Sequence, residues 1–90
     1  MILSFSHKGL QAFFHTGNKA GIRPDHAHKL AAQLHALNHA KSPRDMNVPS
    51  WKLHPLQGGF QACWAITVNA NWRLIFRFTP TGDVELVDYR

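Results

Sequence analysis

The chain has 90 residues, which is room for a single domain over residues 1–90 on the usual roughly 100–200 residues per domain. It is 44% hydrophobic and 17% charged, too apolar for a disordered chain, and ten Lys and Arg against five Asp and Glu give a formal charge of +5. The basic balance points to a polyanionic partner, and a single cysteine, Cys63, excludes an internal disulfide and any zinc site built on paired thiolates.

Ile2-Leu3-Ser4-Phe5 reads as a short opening strand. Ser6 is placed to cap a helix running through Thr16, with Leu10, Phe13 and Phe14 at i, i+3, i+4 as its buried stripe and Gly17 where a left-handed residue ends a helix. After a polar, basic connection over 18–23, Pro24 and Asp25 open a second helix. Ala27, Leu30, Ala31, Leu34 and Leu37 share its apolar face, and Ser42-Pro43 stops it, with a single turn restarting around Arg44–Met46. His28, His35 and His39 fall on one stripe of this helix and read as a solvated face, since no cysteine or helical carboxylate completes a metal site.

From Trp51 the hydrophobic period changes to two. Trp51-Lys52-Leu53-His54, Phe60–Val68, Trp72–Phe78 and Val84–Tyr89 are the expected strands, linked by Gly58-Gly59, Asn69-Ala70-Asn71 and Pro80-Thr81-Gly82-Asp83. The order is β-α-α followed by an antiparallel meander, an α+β protein with both helices on one sheet face. Alternation sends Phe60, Ala62, Trp64, Ile66 and Val68 toward the helices, together with Leu74, Phe76 and Phe78. Lys52, His54, Arg73 and Arg77 are then left on the far face. That is a basic, histidine-bearing surface on a sheet, where an imidazole is matched to neutral pH and a guanidinium is a fork for anionic oxygens. Without further information, His54 reads equally as a solvent-facing strand histidine and Arg73 as a cross-strand partner of Glu85 or Asp88.

Two segments carry a resemblance. Trp51-Lys52-Leu53-His54-Pro55-Leu56 and Ile66-Thr67-Val68-Asn69-Ala70-Asn71-Trp72-Arg73-Leu74-Ile75-Phe76, with Phe5-Ser6-His7-Lys8-Gly9-Leu10 and Val87-Asp88-Tyr89, resemble the HigB branch of the RelE toxin superfamily. The resemblance implies a RelE-like β-α-α-β-β-β(-β) fold and a metal-independent, cofactor-free endoribonuclease that cuts mRNA in the ribosomal A site. It implies as partners a HigA-type helix-turn-helix antitoxin and the 70S ribosome with mRNA, operator DNA being reached only through the antitoxin. A cytoplasmic setting follows, in keeping with the absence of any apolar run of the roughly 18–20 residues a membrane span needs and of signal-peptide features in Met1–Phe5.

The same resemblance makes His54, Arg73 and Tyr89 catalytic, and Lys52, Gln57, Arg77 and Arg90 contacts to RNA or ribosome. Two positions depart from the family pattern. Many members end in Asp-Tyr-His, whose histidine is implicated in acid–base work. Here either Arg90 stands in for that histidine, or Val87-Asp88-Tyr89 belongs to the strand preceding such a tripeptide. Gln57 occupies a loop position that is often basic. An attenuated nuclease is one reading; the alternative is a weak or inactive toxin-fold protein that binds antitoxin or rRNA.

Overall fold

The computed structural model describes residues 1–60 and 62–90; Gln61, which alternation assigns to a strand, lies outside the described residues. In chain order the elements are β1 (Ile2–Phe5), α1 (Lys8–Thr16), α2 (Ala27–His39), β2 (His54–Pro55), β3 (Trp64–Asn69), β4 (Trp72–Phe78) and β5 (Val84–Tyr89). Single 3-10 turns occupy Pro24–His26, Pro43–Met46, Pro49–Trp51 and Gly58–Phe60. The five strands form one sheet in the order β1-β5-β4-β3-β2.

The α+β class holds, but the sheet is mixed. β1 lies parallel to β5, while every other neighbouring pair is antiparallel. Parallel pairing needs a long crossover, and here both helices lie between the paired strands. Hairpin signals in a sequence report only neighbours along the chain, so the β1–β5 contact left no trace in them.

Helix α1 is capped by His7 rather than Ser6: the Leu10 N–H donates to His7 Nδ1 at 3.1 Å. Gly17 ends the helix in the left-handed region (φ 79°), its N–H donating to the Phe13 carbonyl at 2.9 Å. The turn Pro24–His26 leads into α2, whose Leu30, Leu34 and Leu37 are buried. Ala31 is exposed, and Gln33 is buried instead. The Gln33 amide donates through Nε2 to the Thr67 carbonyl at 2.8 Å, tying α2 to β3. After α2 the Asp45 carboxylate accepts the Lys41 and Ser42 N–H groups at 2.9 and 3.3 Å, so the chain turns at Pro43–Met46 and buries Met46.

The helix side of the sheet supplies Ile66, Val68, Leu74, Phe76, Val84 and Leu86 to one core with Leu10, Leu30, Leu34 and Leu37. Trp64 and Trp72 pack half-buried against it. The other face holds a smaller patch of Cys63, Ala65 and Ile75, covered in part by Leu56, Phe60 and Val87. Two expected strands are corrected. Trp51-Lys52-Leu53-His54 is a 3-10 turn followed by Lys52 in the left-handed region (φ 52°), and pairing begins only at His54. The strand from Phe60 begins instead at Trp64, because Gly58–Phe60 forms a turn and Ala62 adopts φ 69°. Phe60 therefore joins Cys63 on the far face instead of Ile66 and Val68 in the main core.

The connection between the helices is held by backbone against backbone. A Cβ added to Gly9 in α1 would collide with the Gly21 carbonyl, and one added to Gly21 would meet the Gly9 Cα at 2.5 Å. At an open helix position Gly→Ala stabilises by about 1 kcal/mol. Gly9→Ala is expected to reverse that sign and destabilise by about 1–3 kcal/mol, the range of overpacking. Urea unfolding of the two proteins measures the difference; a more stable variant would contradict the close approach.

Candidate active site

Strand pairing places the expected base and the expected phosphate ligand on one face. His54 lies opposite Ala65, Ala65 opposite Ile75, and Ile75 opposite Asp88, so these four form a row across the sheet. The neighbouring row carries Thr67 opposite Arg73. Arg73 in turn exchanges two backbone hydrogen bonds with Arg90, at 2.7 and 3.0 Å. Ala65 and Ile75 belong to the patch away from the helices, which identifies this as the helix-free face. His54 and Arg73 stand two strands apart and two residues offset, roughly 12 Å between Cα atoms on standard strand spacings. Both side chains can reach one ribose-phosphate unit across that distance.

His54 is half-buried, and its Nδ1 lies 2.8 Å from the Lys52 carbonyl oxygen. A carbonyl only accepts, so Nδ1 carries the hydrogen and the neutral ring holds its lone pair at Nε2. The left-handed backbone of Lys52 allows its carbonyl to meet a side chain only two residues on. For a non-glycine residue such a conformation costs on the order of 1 kcal/mol. Lys52 itself is exposed, as is Gln57 in the loop after β2.

The remaining cations differ in how free they are. Arg77 pairs with Glu85, Nε to Oε1 at 2.6 Å, and that hydrogen bond holds its guanidinium even more firmly in the charged form. The sequence left Glu85 and Asp88 open as partners of Arg73; in the structure they engage Arg77 and Arg90. Arg90 meets Asp88 at 3.4 Å, and its guanidinium lies over the Phe60 ring, 5.2 Å from the centroid. Among the described residues Arg73 has no ion pair.

Tyr89 is not with them. From Val84 and Leu86, strict alternation would carry Tyr89 to the helix-free face. A one-residue bulge intervenes at Val87: Phe76 faces Leu86 but Ile75 faces Asp88. Leu74 then faces Tyr89, which turns into the helix-side core and is only 4% exposed. The Tyr89 N–H is taken by Asp88 Oδ1 at 2.8 Å. Its hydroxyl accepts the Arg23 N–H at 3.4 Å and shares a hydrogen bond with the buried Nδ1 of His26 at 2.7 Å. Val87-Asp88-Tyr89 is thus a strand segment whose tyrosine is buried on the helix side, apart from His54 and Arg73. Phe60, in turn, stands on the face of His54 and Arg73, which alternation hid; Gly58-Gly59 immediately before it was the available signal that no strand runs there.

Beyond geometry, two comparisons bear on the chain. The family model described as "RelE-like toxin of type II toxin-antitoxin system HigB" matches residues 3–90. A curated relative from Proteus vulgaris, Endoribonuclease HigB, is 38% identical over 89 residues, covering 99% of this chain and 96% of the relative.

Burial raises the Tyr89 phenol above its ordinary value of 10.0. A phenol that resists ionisation in the folded state contributes its stability fully below pH 10 and loses it as pH rises toward the folded pKa. Tyr89→Phe leaves His26 Nδ1 buried without its hydrogen-bond partner, at about 1–3 kcal/mol. Denaturant unfolding is expected to show that loss at pH 8, and to show it shrinking between pH 10 and 11. A constant difference across that range would contradict the linkage.

Proposed function

The chain belongs to the HigB family of RelE-like toxins of type II toxin–antitoxin systems, and from that premise we propose that it is an endoribonuclease cutting mRNA in the ribosomal A site. The observation that carries the reading is a histidine with its Nε2 lone pair free, on the same sheet face as the cross-strand pair of Arg73 and Arg90.

The chemistry needs no metal. His54 Nε2 takes the proton of a ribose 2′-hydroxyl, the 2′-oxygen attacks the adjacent phosphorus, and the P–O5′ bond breaks. The products are a 2′,3′-cyclic phosphate and a 5′-hydroxyl. Arg73, with Arg90 beside it, neutralises the charge that grows on the phosphorane oxygens, where fixed donors contribute most. Lys52 is a steering charge, whereas Arg77 serves RNA less because Glu85 occupies it. Gln57 offers a neutral amide where a cation would help. The partners in this reading are a HigA-type helix-turn-helix antitoxin, the only link to operator DNA, and the 70S ribosome, which places the reaction in the cytoplasm.

The leaving 5′-oxygen also requires a proton. The other six histidines belong to α1 and its N-cap, to the turn before α2, and to α2. Tyr89, engaged with His26 in the core, is not available either. Among the described residues no second histidine stands beside His54 to supply it, and slow cleavage is part of this proposal. This observation also favours the second reading, a weakly active toxin-fold protein that binds antitoxin or rRNA. That protein would inhibit growth or bind antitoxin without producing cut mRNA.

Mapping transcript 5′ ends after induced expression separates the two. New ends within translated codons are expected for the wild type. His54→Ala should lower cleavage by roughly 10²–10⁴-fold, the usual contribution of a positioned base. Arg73→Ala should lower it by roughly 10²–10³-fold. Unchanged ends with His54→Ala would overturn the nuclease reading. On programmed ribosomes in vitro, extending the chain with Asp-Tyr-His should accelerate cleavage by roughly 10²-fold or more. Equal rates would refute attenuation.

A further inference from the structure

On the helix-free face, beneath the Arg90 guanidinium, lies an aromatic ring that phosphate chemistry does not need. Phe60 ends the turn Gly58–Phe60 and packs with Leu56 and Val87 on the patch of Cys63, Ala65 and Ile75. Ala65 faces His54 directly, and Ile75 is two residues from Arg73 on the same strand. The loop is closed at its base by hydrogen bonds from the Leu56 N–H to the Cys63 carbonyl and from the Cys63 N–H to the Phe60 carbonyl, both 2.9 Å. The ring is half-buried, and what lies over it is the guanidinium of Arg90, whose side chain is 64% exposed.

We propose that Phe60 is a nucleobase-stacking platform, and that Arg90 covers it in the free protein and yields it to an RNA base. The inference rests on the nuclease reading and deepens it by assigning the part of the substrate that this ring takes.

Relative magnitudes favour the exchange. Stacking of a base on an aromatic side chain is worth roughly 5- to 150-fold in binding. A cation over a ring at an exposed position contributes only roughly 2- to 5-fold. The second restraint on Arg90, its 3.4 Å contact with Asp88, is an exposed ion pair of little strength. A base arriving at Phe60 therefore displaces the guanidinium. Arg90 is the direct cross-strand neighbour of Arg73, so the released side chain is already beside the phosphate ligand. One binding event stacks the base and delivers the second cation. Because every base has a π-face, the platform favours bases over no base more strongly than one base over another.

Adenosine 5′-monophosphate and ribose 5-phosphate test this, since they differ only in the base. Their affinities are measured by NMR titration of the wild type, of Phe60→Leu, which keeps a hydrocarbon on the patch but removes the π-face, and of Phe60→Trp. The wild type should prefer the nucleotide by several-fold or more, with ring-current shifts at the Phe60 resonances. Phe60→Leu should bring the ratio to about one while ribose 5-phosphate binds as well as before or slightly better. Phe60→Trp should keep or raise the ratio. A full nucleotide preference in Phe60→Leu, or a wild type that binds both ligands equally, would overturn the platform and leave the phosphate cradle standing. Binding of neither ligand would overturn both. His54→Ala in the transcript-mapping experiment tests the nuclease reading without involving Phe60.

Discussion

The pleat of β4 is the constraint from which the rest of this structure follows. Leu74 and Phe76 must meet the leucines of α1 and α2, because nothing else in so short a chain can cover them. A strand sends alternate side chains to opposite faces, so burying that pair fixes Arg73, Ile75 and Arg77 on the other side. The hydrophobic core thereby sets the direction of a guanidinium it never touches. A slip of one residue in the pairing would bury Arg73 and Arg77 and expose Phe76. No alternative register is remotely competitive with that cost, and the cationic face is as strongly specified as the core.

Where the pleat is interrupted, the interruption has a function of its own. The bulge at Val87 costs β5 one ladder position but rotates Tyr89 inward, where it closes a polar arrangement with His26 and the Arg23 backbone. Trp72 stands beside both rings, at 4.9 Å from Tyr89 and 5.6 Å from His26. The last strand is thus fastened to the turn that launches α2, across most of the sequence. The same bulge puts Asp88 beside Ile75 on the opposite face, where its carboxylate meets Arg90. One extra residue sends Tyr89 into the core and leaves Asp88 and Arg90 paired on the opposite face.

Much of this was legible from pattern. β4 and β5 emerged with the expected limits, and so did the opposition of Arg73 and Ile75 to Leu74 and Phe76, because each follows from an unbroken period of two. The Gly17 cap and the apolar stripe of α2 were likewise local signals. What escaped was whatever local pattern does not encode. The β1–β5 pairing joins opposite ends of the chain. Gln33 replaces Ala31 in the core with its Nε2 donating to a carbonyl of β3, a contact helical periodicity cannot anticipate. His7 rather than Ser6 caps α1 because a ring nitrogen reached the Leu10 N–H. Phe60 was assigned to the wrong face because Ala62, in irregular backbone, reset the alternation, just as the bulge at Val87 resets it before Tyr89.

The charge of this toxin is more local than its total suggests. Of the cations on the helix-free face, Arg77 is matched by Glu85, and Arg90 is divided between Asp88 and Phe60. At physiological ionic strength charges beyond roughly 8 Å are screened, so the lysines of the helices add little at the cradle. The field that a phosphate meets there is chiefly that of Arg73, with Arg90 held in reserve. Orientation then matters more than quantity of charge. The His54 ring is held by one hydrogen bond to a carbonyl that is in place because Lys52 accepts a strained backbone. Strain at that residue, and not an accumulation of cations, fixes the direction of the imidazole.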